Sequence, residues 1–180
     1  MTEARVLSRN EIGAVWRIDR RESIEAVYRL VDGELVLEPA RHEATGWPPG
    51  EAAKYTPILE ACFDRGGWFF GFFEHHDPFA VVVLESRFMG KGKDQLQLAF
   101  LHVGRSHRDN GFGKRLFMLA AGEARKRGAK SLYISATPTE HTIHFYTRLG
   151  CVLAVTPDPE LFELEPEDIH LEYDLAQSHE

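Results

Sequence analysis

The residues best suited to chemistry run from Leu101 to Leu116. Leu101-His102-Val103 closes an apolar run that begins at Gln95, and a polar turn follows it, Gly104-Arg105-Ser106-His107. Next come Arg108-Asp109-Asn110-Gly111-Phe112-Gly113-Lys114, and then a long amphipathic stretch to Arg127. A helix that starts at glycines presents bare N–H groups and the positive end of its dipole. Phosphate binds well at such an end because no side chain obstructs the donors. Arg108 adds a charge-assisted contact to the same anion. The stretch is therefore a candidate pyrophosphate cradle. It is not the phosphate loop of nucleotide hydrolases, because Arg115 follows Gly113-Lys114 and Arg108 stands at the first glycine position. Nor is it G-x-G-x-x-G, since Leu116 occupies the third glycine.

Other reactive side chains are dispersed. Tyr146 has two readings, a phenolic proton donor or a core tyrosine packing a helix on a sheet. His102 shares the phase of Leu96, Leu98 and Phe100, so it is expected in the core. Glu74-His75-His76-Asp77 looks like a metal cluster, but it falls in an expected hairpin turn, where polar residues belong anyway. His141 and His144 lie one helical turn apart with no third ligand assigned. No metal site is expected. Trp16, Trp47 and Trp68 are core or acceptor-pocket residues, and the sequence does not separate these.

The elements that must position these groups follow from periodicity and turn chemistry. Residues 4–7 read as a short strand. Ser8-Arg9-Asn10-Glu11 is a capping box for a helix from about Arg9 to Asp19. Ile24 to Val31 and Glu34 to Leu37 are strands joined by Asp32-Gly33. Residues 39–50 read as a long loop. Thr56-Pro57 is an expected helix start, with the helix running to Asp64 and closed by Gly66-Gly67. Trp68 to Glu74 and Phe79 to Arg87 should pair as a hairpin, and Gly90 to Asp94 is a basic turn into the Gln95–Val103 strand. The helix after Gly111 ends at Gly128. Ser131 to Ala136 is a strand. A helix opens at Pro138-Thr139 and closes at Gly150. Cys151 to Val155 is a strand, residues 157–166 are a link, and Ile169 to Leu175 is the last strand. This order predicts a mixed α/β domain, a sheet with helices on its faces, spanning residues 1–180 as one unit.

Composition narrows the function classes. Hydrophobic residues make up 43% and charged residues 27%, which is ordinary for a soluble domain. A net charge of −7 argues against general nucleic-acid binding. No run is long enough to span a membrane, and Met1 to Arg5 lacks the apolar core of a signal peptide. Cys62 and Cys151 sit in apolar surroundings and read as free thiols, which suits a cytoplasmic protein. Basic residues cluster from Lys114 to Lys130, while the chain from Asp158 onward is acidic with no Lys or Arg. That segment reads as a solvated face or as the border of a site for a cationic acceptor.

Arg-x-x-Gly-x-Gly after a strand ending Leu-x-Val resembles the acetyl-coenzyme A loop of the GNAT superfamily of N-acetyltransferases. A second stretch, Thr139 to Cys151, is similar to the family pattern N-x-x-A-x-x-F-Y-x-x-x-G-F. Phe145, Tyr146 and Gly150 match it; Thr139, Thr142 and Cys151 replace the common Asn, Ala and Phe. The clear likeness covers about Gln95 to Val155, and the first ninety residues fit by element order only.

The resemblance implies a mostly antiparallel mixed sheet with two splayed strands at the acetyl-coenzyme A site. It implies backbone contacts to the pantetheine arm at Leu101 and Val103, with His102 beside them. A strand N–H, that of Val103 or its neighbour, would polarise the thioester carbonyl. The pyrophosphate would take Arg108, Asp109, Asn110, Gly111, Phe112, Gly113 and Lys114, with Thr139 and Tyr146 completing the cofactor set. Tyr146 becomes the general acid. Some members carry a Glu where Gln97 stands, so the base is unassigned; Glu74, His75, His102 and Glu140 are replacements by location. The implied activity is acetyl transfer to a primary amine of a small molecule or protein, without metal. A non-catalytic acyl-coenzyme A sensor is the alternative, and a hydroxyl acceptor or longer acyl chain is a third option. A homodimer is compatible with the family, and nothing fixes an interface.

Overall fold

A computed structural model describes residues 1–177; residues 178–180 lie outside it. Among the described residues the strands are β1 (Glu3–Val6), β2 (Glu22–Val31), β3 (Glu34–Ala44), β4 (Trp68–Glu74), β5 (Asp77–Leu84), β6 (Gln95–Val103), β7 (Ser131–Ala136), β8 (Val152–Leu153) and β9 (Ile169–Asp174). The helices are α1 (Glu51–Asp64), α2 (Phe112–Lys126), α3 (Glu140–Leu149) and α4 (Pro159–Leu164). Seven strands form one sheet in the order β1-β4-β5-β6-β7-β9-β8, and β2-β3 form a separate ribbon. All neighbours in the large sheet are antiparallel except β6 and β7.

The sheet is apolar on both faces and separates two cores. On one face Leu96, Leu98, Leu132 and Ile134 pack under Leu116, Phe117, Ala120 and Ala124 of α2 and under Ile143 and Tyr146 of α3. On the other, Val81 and Val83 meet Leu59 and Cys62 of α1 and Ile12, Val15 and Ile18 of the preceding turn of chain. Cys62 and Cys151 are buried and unbridged.

Several expected boundaries move. The segment after Ser8 is a 3-10 helix, Arg9–Arg17, and Glu11 accepts the Ser8 N–H at 2.7 Å, the return half of the capping box. β3 runs on through residues 39–44, which the sequence suggested were loop. Pro39 is tolerated because it sits on β3, the outer strand of the ribbon, at the register shift between Ile24 and Ala26. α1 starts at Glu51 after Gly50, not at Thr56-Pro57, and Pro57 lies inside the helix. The Thr56 hydroxyl does not cap; it accepts the Trp16 indole N–H at 2.8 Å. β5 begins at Asp77, since His75 and His76 both take positive φ (50° and 72°) and close the hairpin in two residues. β8 is two residues long, and the expected link from Pro157 to Pro166 holds α4, capped by Asp158.

One irregularity re-aims the site. Leu84 pairs with Leu98 but Val83 pairs with Phe100, so Ala99 is an extra residue in β6. A bulge of this kind inverts the side-chain phase beyond it. Leu96 and Leu98 face α2, whereas Phe100 faces the α1 side. His102 follows Phe100, beside Trp47, and does not share the face of Leu96 and Leu98 as its spacing suggested.

Candidate active site

β6 and β7 pair only over Gln95–Gln97 and Ser131–Tyr133. Past Gln97 the two strands separate, and β6 keeps a ladder with β5 alone. The gap opens a cavity of about 470 Å³, walled by residues 98–103 on one side and 134–137 on the other. Parallel strands that part in this way leave backbone donors and acceptors on their facing edges with no ladder partner.

The N-terminus of α2 closes one end of that cavity. Gly111 precedes the helix at φ +81°, where a side chain would be strained. No side chain caps the helix and its first turn holds no acid. The first intrahelical bond runs from the Arg115 N–H to the Gly111 carbonyl, which leaves the N–H groups of Phe112, Gly113 and Lys114 for a ligand. Gly113 is needed for a different reason. A Cβ there would stand 3.1 Å from the Phe145 ring. Phe112 fixes the helix start from below, edge-on to Phe72 and Phe79 at centroid distances of 5.0 and 4.9 Å.

Ten expected site residues border the cavity: Leu101, His102, Val103, Arg108, Asp109, Gly111, Phe112, Gly113, Lys114 and Tyr146. Asn110 and Thr139 stand off this wall. Asn110 donates to the Arg108 carbonyl at 3.0 Å. Thr139 is buried at the α3 N-cap and borders a second, smaller cavity beneath β2. The Arg108 guanidinium turns inward and donates to the carbonyls of Val103, Arg21 and Asp19, at 3.1, 2.9 and 3.3 Å. Its charge stays at the cradle, while its donors tie the cradle to the segment before β2.

Tyr146 is 6% exposed, on the α2 side of the gap. Burial, with smaller contributions from Cys151 and Asp168, pushes its phenol well above the ordinary range, so it stays protonated at neutral pH. His102 is pressed between Trp47 and Phe100, at centroid distances of 4.7 and 4.6 Å. Burial, then the charges of Arg20 and Arg108, push its imidazole down to about 3. Trp16 and Trp47 belong to the same aromatic group, whereas Trp68 stacks on Phe70 elsewhere. Glu74 pairs with His107 at 3.2 Å, and His144 meets the Tyr28 hydroxyl at 2.7 Å.

Four residues at this site carried no signal in the sequence. Arg20, Glu22 and Ser135 border the cavity. Asp168 stands behind Ser135 and accepts its hydroxyl at 2.9 Å. Burial raises the Asp168 carboxyl to about 6; Glu165 and Glu51 push the same way, against Ser135 and Arg20.

Known proteins share this architecture. Nourseothricin acetyltransferase superposes with a TM-score of 0.72 at 21% identity, over 97% of this chain and 98% of that one. The PaiA N-acetyltransferase of Thermoplasma acidophilum, solved with coenzyme A, gives 0.62 at 15%, over 97% and 99%. The ribosomal-protein-S18-alanine N-acetyltransferase of Escherichia coli gives 0.60 at 15%, over 100% and 97%. At such identities these likenesses concern the fold. No curated protein sequence matches the chain significantly. The model of the acetyltransferase (GNAT) family matches residues 35–151, which take in the parted strands, the uncapped helix and Tyr146, and the chain belongs to that family.

Proposed function

We propose that the protein is an acetyl-coenzyme A dependent N-acetyltransferase that acetylates a primary amine of a small molecule or protein. The observation that carries this reading is the continuity of one cavity from the parted edges of β6 and β7 to the uncapped start of α2. An extended arm fits the gap, and a diphosphate fits the helix start with Lys114 and Arg108 beside it. Bound acetyl-coenzyme A supplies an activated acyl thioester. The chain's own part is to hold it and move protons. In this reading a backbone N–H near Val103 polarises the carbonyl oxygen, and one fixed donor there is worth about 2.7–4 kcal/mol. Tyr146 gives a proton to the departing sulfur, whose parent thiol has a pKa of about 8.5. The absence of a span-length apolar helix among the described residues and the two unbridged thiols are compatible with a cytoplasmic protein.

The second reading is a non-catalytic acyl-coenzyme A sensor, favoured by Gln97, whose amide cannot serve as a base. Calorimetry with coenzyme A and thiol release with an amine panel separate the two. Tyr146→Phe in a transferase lowers kcat about a hundredfold and leaves coenzyme A affinity unchanged. Tight binding with no thiol release from any amine favours the sensor, and no binding at all defeats both readings.

A further inference from the structure

We infer that Ser135 and Asp168 form the proton relay for the acceptor amine, and that the acceptor is a primary alkylammonium entering from the α1 side. This rests on the transferase reading above and supplies the base that reading lacks.

The geometry comes from the two faces of the sheet. Ile134 and Ala136 lie in the core under α2, so Ser135 between them faces the α1 side. It borders the cavity where β6 and β7 part. Its hydroxyl donates to Asp168 Oδ2 at 2.9 Å, which leaves Oγ able to accept a proton. Tyr146 stands on the opposite side, under α2. A thioester threaded through the gap thus meets a proton acceptor on one face and a proton donor on the other. An amine adds to one face of the planar thioester carbonyl, and the face toward the α1 side is the one that carries Ser135 and Asp168.

Charge favours a cation at the same mouth. The groups facing Asp168 are Glu51 and Tyr55 of α1, Glu165 after α4, Arg20 before β2, and Tyr146 of α3. Tyr55 hydrogen-bonds Glu165, and Lys54 reaches the same carboxylate at 3.1 Å. Arg20 lies over the Trp47 ring, 5.0 Å from its centroid. Asp168, Glu51 and Glu165 together set three carboxylates against the two cations Lys54 and Arg20, which leaves the mouth with a net negative charge.

Rival bases fit less well. His102, held down to about 3, is too weak to keep a proton taken from an ammonium. Glu74 is paired with His107, and Glu140 borders the other cavity. A carboxyl near 6 is ionised at pH 7 yet basic enough to accept a proton, which is the balance general bases need. Glu22 borders the cavity as well and is the rival that experiment must separate.

The step balances. The alkylammonium gives one proton to Ser135 Oγ while the Ser135 proton passes to Asp168 Oδ2, and the carboxyl later releases it to water. The neutral amine adds to the carbonyl carbon, and the tetrahedral adduct loses its second nitrogen proton through Ser135 to Asp168, which passes it to water. The C–S bond then breaks, Tyr146 protonates the departing sulfur, and its phenolate regains a proton from water.

The test compares wild type with Asp168→Asn, Ser135→Ala, Ser135→Thr and Glu22→Gln. Acetyl-coenzyme A and cadaverine are the probes, with thioester hydrolysis by water read in the same series if cadaverine is not turned over. Asp168→Asn and Ser135→Ala should each lower kcat about a hundredfold. Asp168→Asn should also abolish the acid limb of the kcat profile near pH 6, while Ser135→Thr keeps most activity. Coenzyme A affinity should stay within twofold throughout. The Asp168 carboxyl titrates higher in the folded chain, so its buried charge opposes folding above about pH 6. The melting temperature of Asp168→Asn should therefore equal or exceed wild type at pH 8, a gain that disappears by pH 4. Asp168→Asn within threefold of wild type with its acid limb intact overturns the relay. So does a melting loss at both pH values, or Glu22→Gln carrying the limb instead. Failure of wild type to bind coenzyme A would instead remove the transferase reading beneath it.

Discussion

The ring of Phe145 lies so close to Gly113 that a Cβ on the glycine would stand 3.1 Å from Phe145 Cε2 and 3.3 Å from Cζ. Gly113 opens α2 at the cradle, and Phe145 sits on α3 next to Tyr146. This contact couples the diphosphate end of the cavity to the helix that carries the proton donor.

Gly113→Ala should therefore push Phe145 aside and weaken coenzyme A binding about tenfold, or ~1.4 kcal/mol. Stability should change little, because alanine's better helix propensity, about 1 kcal/mol, offsets the crowding. Phe145→Leu added to Gly113→Ala should restore affinity, and calorimetry on the four proteins of that cycle gives the coupling. Additive losses would remove the proposed contact from the binding argument.

Glu85 follows β5, is 6% exposed and pairs with Arg65 after α1 at 2.7 Å. Burial raises its carboxyl, but Arg65 and the Ser86 N–H outweigh this and hold it below the ordinary range. Such a group stabilises the fold above its unfolded pKa and loses that contribution as pH falls through the folded value. Removing the cation leaves a buried charge, so Arg65→Met should cost about 2 kcal/mol at pH 7, discounted because the Arg65 side chain is 34% exposed. The deficit should shrink as Glu85 protonates. Urea unfolding at pH 7 and pH 3 measures both.

His102 gives the opposite lesson about acid. Its imidazole stays neutral in the folded chain down to about pH 3, while the unfolded chain protonates near 6.5. Stability tied to this residue is complete above pH 6.5 and lost as pH falls toward 3. His102→Phe, which keeps a ring against Trp47, should flatten the fall in melting temperature between pH 6.5 and 4. An unchanged slope, read by thermal unfolding across that range, would mean that His102 ionises freely.

The pieces that sequence made legible are those set by local rules. Gly111 and Gly113 marked the uncapped helix start, because an anion cradle needs residues without side chains there. Thr139 and Gly150 marked both ends of α3 through capping chemistry. The apolar run Gln95–Val103 gave β6 its correct bounds. Thr56-Pro57 misled because α1 already starts at Glu51 and carries Pro57 inside it, while the threonine hydroxyl accepts the Trp16 indole N–H instead of capping. Pro39 misled in the same way, since at the register shift on the outer strand β3 the ladder does not need its N–H.

By itself, then, the sequence determined the starts of α2 and α3, the Asp32-Gly33 turn and the two stretches that meet at Gly113 and Phe145. Each depends on residues within a few positions of one another. The tertiary structure alone decided which face His102 takes, because the bulge at Ala99 exists only in register with Val83 and Leu84. It alone brought Asp168 to Ser135 across β7 and β9. Sheet order sets that meeting, and the order follows from how strands far apart in the chain bury their apolar sides, which local spacing does not encode.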